Sequence, residues 1–185
     1  IAQSCCANKS KNFANYWIHN GFVTFDKEKM SKSLGNIVTI KDLKENINGQ
    51  VIRLALLSSH YKQPLDWNEK LIKECQITLD KWYNQYDDEL EDEVISSLLT
   101  KPDEEEVLQS LLEDLNTPEF ISKIHSYYEG ATTGNQSLKV KFTFACKLIG
   151  LFNESKETWK NFKKSKVKVD ENFINQKIRD RNDAR

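Results

Sequence analysis

A chain of 185 residues with only 6 Gly and 3 Pro offers few places for its backbone to turn sharply. Gly supplies left-handed backbone and Pro stops helices, so their scarcity favours long helices over a strand-and-turn architecture. The length suits one domain or two small ones. Aromatic residues make up 10%, four Trp among them, which argues against a disordered chain. No apolar run approaches the roughly 20 residues of a membrane span, so no membrane partner is expected. No basic-then-apolar leader is visible, and a cytoplasmic location is expected. The chain opens at Ile1 in mid-pattern and reads as a piece of something larger.

Cys5, Cys6, Cys75 and Cys146 form no Cys-x-x-Cys pair, and His19, His60 and His125 are scattered. They read as reduced thiols and unlinked imidazoles, with no zinc site in this chain. Net charge is -1, but its distribution is uneven. Residues 1–80 carry 11 Lys+Arg against 8 Asp+Glu, residues 81–130 carry 3 against 14, and residues 131–185 carry 13 against 6. A polyanion can approach the two ends and is repelled by the middle, unless these are only the solvated faces of long helices.

Residues 1–9 read as the tail of a helix, and residues 13–25 as one or two short strands with a turn near Asn20-Gly21. The polar run DKEKMSKSLGN that follows buries no apolar face and reads as an exposed loop. Thr39 with Asp42 is a capping signal for a helix through about Asn46. Val51 to Leu57 spell a strongly apolar helix, in which Arg53 is expected to pair with a carboxylate. Asp66 or Asn68 then caps a helix carrying Leu71, Ile72, Cys75, Leu79, Trp82, Tyr83 and Tyr86 at 3–4 spacing. Residues 87–93 form an acidic break, and Pro102 begins the next helix. Thr117-Pro118 reads as a cap with Pro at the first helical position, and that helix ends near Gly130. Leu138 to Phe152 form a further helix, Lys156 to Lys168 a basic linker, and Phe173, Ile174 and Ile178 start a last one. Trp67, Trp82 and Trp159 are expected in the core. The fold class expected is mainly α, with an α/β portion first.

Lys29-Met30-Ser31-Lys32-Ser33 is the stretch that carries chemistry. Two lysines three apart on a mobile loop can face one polyphosphate, Ser31 and Ser33 add neutral donors, and Met30 and Leu34 can anchor the loop in apolar surface. Ammonium groups placed there stabilise charge that develops on a leaving pyrophosphate, without proton transfer. Such a loop can close when nucleotide binds. His60 beside Ser58 and Ser59 reads as helix-end packing, since no carboxylate is placed in sequence to orient it. His19 reads as a structural residue under the loop, the alternative being a contact to adenine or ribose. Lys160, Lys163, Lys164, Lys166 and Lys168 read equally as phosphate contacts or as a solvated linker.

Lys29 to Asn36, KMSKSLGN, resembles the second signature of the class I aminoacyl-tRNA synthetases, the ATP-binding loop of their Rossmann-type catalytic domain. Ile1 to Ser4, Asn15 to His19, Gly21 to Val23, Leu57 to Tyr61 and Asp114 to Glu119 are similar to cysteinyl-tRNA synthetases. The resemblance implies that residues 1–36 end the catalytic domain and that 37–65 form a stem-contact fold. It implies a tRNA-binding α-helical bundle over 66–168 and the start of an anticodon-binding region over 169–185. It further implies ATP with Mg2+, cysteine and tRNA(Cys) as reactants, Lys32 as the ATP contact with Lys29 in support, and a monomer. Arg179, Arg181 and Arg185 are the implied tRNA contacts. The family's zinc ligands and its first signature lie ahead of Ile1, so the chain alone is expected to be inactive. The alternatives are a related ligase joining cysteine to an amino sugar, a methionyl-type enzyme, or a non-catalytic tRNA-binding helical module.

Overall fold

A computed structural model describes residues 1–9, 12–31, 37–86, 106–166 and 171–183. The chain divides into two compact units, Ile1–Ile77 with Asp103–Lys123, and Thr78–Pro102 with Ile124–Arg185. Helices predominate among the described residues, beside one small sheet. None of these helices is long and apolar enough to cross a membrane.

The first unit opens with α1 (Ala2–Asn8), closed by Lys9 in a left-handed conformation. Within residues 13–25 only Val23–Phe25 is a strand, β1. At the expected turn near Asn20-Gly21 the backbone instead comes close to residues 61–63. The Gly21 N–H donates to the Tyr61 carbonyl at 2.7 Å, and a Cβ on Gly21 would run into the Gln63 carbonyl. Any larger residue there must displace backbone. The run read as a loop begins instead with β2 (Glu28–Lys29), antiparallel to β1, while β3 (Leu65–Trp67) pairs with β1 in parallel. β1 is thus the central strand. A three-residue ladder fixed by partners distant in sequence leaves no alternation to read.

The Thr39 expectation holds in full. Thr39 Oγ1 accepts from the Asp42 N–H, and the Asp42 side chain accepts from the Thr39 N–H, capping α2 (Ile40–Asn46) at both orphan donors. Asn48 caps α3 (Gly49–Leu57), whose Val51, Ile52, Leu54 and Ala55 are buried. Among the described residues no carboxylate pairs with Arg53, which is exposed. Of the two candidate caps for α4 (Glu69–Gln85), Asn68 is the cap, accepting from the Leu71 N–H. The acidic break and Pro102 lie outside the described residues. α5 spans Glu106–Leu112 and α6 spans Thr117–Thr132. The cap of α6 is Asn116 rather than Thr117. Asn116 Oδ1 accepts from the Glu119 N–H, and its Nδ2 donates to the Glu119 carboxylate. The helix also continues two residues past Gly130.

The second unit has an aromatic core. Trp82, Tyr83, Tyr86, Phe142, Phe152 and Trp159 are all buried. Tyr83 stacks on Trp159 at 4.5 Å, Tyr86 on Phe152 at 4.3 Å, and Trp82 meets Phe142 edge-on at 5.8 Å. α7 (Gln136–Leu148) stops four residues before the expected Phe152 because Gly150 turns left-handed. The Gly150 and Leu151 N–H groups then donate back to the Lys147 and Cys146 carbonyls, which closes the helix end. The expected basic linker is a helix, α8 (Lys156–Lys166). Ser155 caps it through the Thr158 N–H, and Trp159, 2% exposed, fixes it to the core. The Trp159 indole N–H donates to Asp80 at 3.0 Å, and Lys163 pairs with the other oxygen of that carboxylate at 2.9 Å. α9 (Glu171–Asp183) follows.

Candidate functional site

The segment leading into the KMSKS run is a hairpin made by two consecutive left-handed residues, Asp26 (φ 48°) and Lys27 (φ 67°). That turn geometry matches the right-handed twist of the flanking strands, but it suits Gly or Asn better than Lys. Contacts from the neighbouring strand hold it. The Asp26 N–H donates to the Trp67 carbonyl at 3.1 Å. Asp66 Oδ1 accepts from the Lys27 N–H at 2.6 Å and from the Thr24 hydroxyl at 2.9 Å, and Oδ2 accepts from Asn68 Nδ2 at 2.9 Å. These donors, the Lys27 amide foremost, then Asn68 and Thr24, hold the Asp66 carboxyl below the usual carboxylate range.

β2 then delivers Lys29, exposed, with its ammonium 5.7 Å from the centre of the Phe22 ring. Met30 is half-buried and lines a largely apolar cavity of about 200 Å3 with Phe25, Val38, Leu43, Ile52 and Trp67. The expected anchoring of the run by Met30 therefore has a seat. Ser31 is half-buried beside it. Lys32, Ser33 and Leu34 lie outside the described residues, as do Lys168 and Arg185. Arg179 and Arg181 are exposed on α9. On α8, Lys160 and Lys164 are exposed, while Lys163 is engaged by Asp80. His19 is exposed and stacks on Trp17 at 6.4 Å, so it is not a packed structural residue here.

Two stretches singled out separately in the sequence meet in the first unit. The His60 ring Nε2 lies 3.0 Å from the Asp114 carbonyl, and its Nδ1 accepts from the Lys62 N–H at 3.2 Å. That arrangement assigns the proton to Nε2. The Tyr61 hydroxyl donates to Asp114 Oδ1 at 2.6 Å and Lys62 pairs with Oδ2. Asp114 and Leu115 are both left-handed, and the Thr117 hydroxyl donates to the Ser59 carbonyl at 3.4 Å. Ser58 donates to the Ala55 carbonyl at 2.7 Å, so the helix-end reading of this segment stands and no Ser–His pair forms. A carboxylate does face His60, at 3.9 Å from Asp114, contrary to expectation, because the chain returns there from 54 residues away.

Among the described residues no three His, Cys, Asp or Glu side chains converge to hold a metal. Cys75 is buried and its thiol is pushed up to about 11, chiefly by loss of solvent. Burial likewise raises the Cys146 thiol well above its ordinary value. Since the thiolate is the nucleophile, a thiol-specific reagent at pH 7.5 is expected to label exposed Cys6 under native conditions. Cys75 and Cys146 are expected to label only in denaturant. Native labelling of Cys146 at the rate of Cys6, read by mass spectrometry, would contradict this placement.

Residues 1–77 match the family described as tRNA synthetases class I (C) catalytic domain. The whole chain aligns with cysteine–tRNA ligases. It is 51% identical over 185 residues to that of Pelagibacter ubique (strain HTCC1062), covering 100% of this chain and 39% of the relative. It is 41% identical over 191 residues to that of Rickettsia bellii (strain OSU 85-389), and 40% over 193 residues to that of Rickettsia canadensis (strain McKiel), again covering 100% and 39%. The chain therefore spans about two-fifths of the length of these curated relatives, 39% in each case.

Proposed function

We propose that this chain, alike along its full length to the cysteinyl-tRNA synthetases, supplies the ATP-binding signature and the helical tRNA-binding part of a cysteine–tRNA ligase. In that reaction a carboxylate oxygen of cysteine attacks the α-phosphorus of ATP. The bond to the β-phosphate breaks, leaving cysteinyl-adenylate and pyrophosphate. A hydroxyl at the tRNA 3′ end then attacks the activated carbonyl, and AMP departs. ATP carries its Mg2+ as substrate.

The role of this chain in the first step is electrostatic. Lys32 meets the charge that grows on the departing pyrophosphate, and Lys29 supports it as a second cation. Met30, Ser31 and Ser33 complete the ATP contact. Interactions of this kind count because they strengthen as the bond breaks. The observation that carries the reading is the sequence KMSKSLGN, begun on β2 with Met30 seated in the apolar cavity beneath it. Residues 66–168 act as the helical tRNA-binding part, and Arg179, Arg181 and Arg185 face the tRNA where the anticodon-reading region begins. The full-length protein is tested by ATP–pyrophosphate exchange with each amino acid in turn. Exchange that depends on cysteine is expected; exchange driven by methionine and not by cysteine would overturn the assignment.

A further inference from the structure

Asp66 has no part in the chemistry above, yet it holds both sides of the hairpin that leads to it. Its Oδ1 grips the Lys27 N–H at 2.6 Å and the Thr24 hydroxyl at 2.9 Å. Thr24 is the cross-strand partner of Lys29, and Phe25 that of Glu28. A ladder of two pairs is too short to keep its own register. Lys27 is also in a conformation that L side chains disfavour. Without an acceptor at Asp66, the Lys27 amide and the Thr24 hydroxyl lose their partner on β3, and the strand bearing Lys29 can shift. Asn68 in turn orients the carboxylate from Oδ2.

We propose that Asp66 is a positioning residue for the adenylation step, fixing through Thr24 and Lys27 where Lys29 and the start of the signature run stand. This rests on the proposed function. A cation stabilises a transition state only when held close to its productive position, so a small shift of the hairpin costs rate more than substrate affinity.

The test is cysteine-dependent ATP–pyrophosphate exchange by the full-length enzyme. Wild-type enzyme without exchange would overturn the proposed function itself. With wild type active, Asp66→Ala is expected to lower kcat about tenfold with KM for cysteine unchanged within about twofold. Asp66→Asn, which keeps an oxygen acceptor for both donors, is expected to stay within about threefold of wild type. The double variant Asp66→Ala/Lys27→Gly, whose Gly adopts the left-handed turn without strain, is expected to recover part of the kcat lost in Asp66→Ala. Asp66→Ala within about twofold of wild type, or an Asn variant as impaired as the Ala variant, would overturn the positioning role.

Discussion

In the full-length enzyme, Lys32→Ala is expected to slow cysteine-dependent ATP–pyrophosphate exchange about a hundredfold, a loss on the order of 3 kcal/mol in the transition state. The reason is that negative charge concentrates on pyrophosphate only as the α–β bond breaks. An ammonium contact there lowers the barrier more than it tightens ATP binding. Binding of tRNA does not use that charge, so tRNA affinity is expected to stay within about threefold of wild type, since one lost contact elsewhere leaves the phosphate contacts intact. Pre-steady-state exchange and a filter-binding measurement on the same variant separate the two. Exchange within about threefold of wild type would remove Lys32 from the proposed mechanism.

Trp82→Ala in this chain is expected to cost about 3–5 kcal/mol of folding free energy, read as a lower urea midpoint by circular dichroism. Trp82 is 1% exposed and meets Phe142 edge-on at 5.8 Å and His125 at 5.0 Å. The indole fills a core built from large rings, which cannot collapse into the space it leaves. Trp17, 52% exposed, is the internal control. Its replacement by Ala is expected to change stability by less than about 0.5 kcal/mol. A Trp82→Ala loss below about 1 kcal/mol would contradict the aromatic core described for the second unit.

What the sequence reveals and what it hides divides along the range of the interactions. The capping box of Thr39 and Asp42, the apolar run of α3 and the Trp82 face of α4 are written within a few residues, and each was legible. α8 was not, because its lysines dominate the composition, while Trp159 and the pairing of Lys163 with Asp80 tie it down. The one-residue shift of the α6 cap from Thr117 to Asn116 turns on which side chain reaches Glu119, which spacing alone does not decide. The KMSKS run stands out in the sequence by its lysine spacing, and Met30, expected as its anchor, lines an apolar cavity. The support of the run was hidden. Asp66 reads locally as a candidate helix cap, but its main partners, Thr24 and Lys27, lie 42 and 39 residues away. The Asp114 contacts with His60, Tyr61 and Lys62 span 52 to 54 residues and were equally invisible. A signal was available for β2, since Asp26-Lys27 between Val23-Thr24-Phe25 and Glu28-Lys29 has hairpin spacing, but no Gly marks the turn.

The proposed function assigns the lysine-bearing run, and the helices that follow it in sequence, to an enzyme that charges tRNA with cysteine. Incubating the full-length protein with ATP, Mg2+, radiolabelled cysteine and tRNA(Cys) tests it most directly. Acid-precipitable label is expected that depends on ATP and on tRNA(Cys) and is released by mild base, as for an aminoacyl ester. Cysteine-dependent adenylate formation with no label on tRNA(Cys), and label passing instead to an amino sugar when one is supplied, would contradict that assignment.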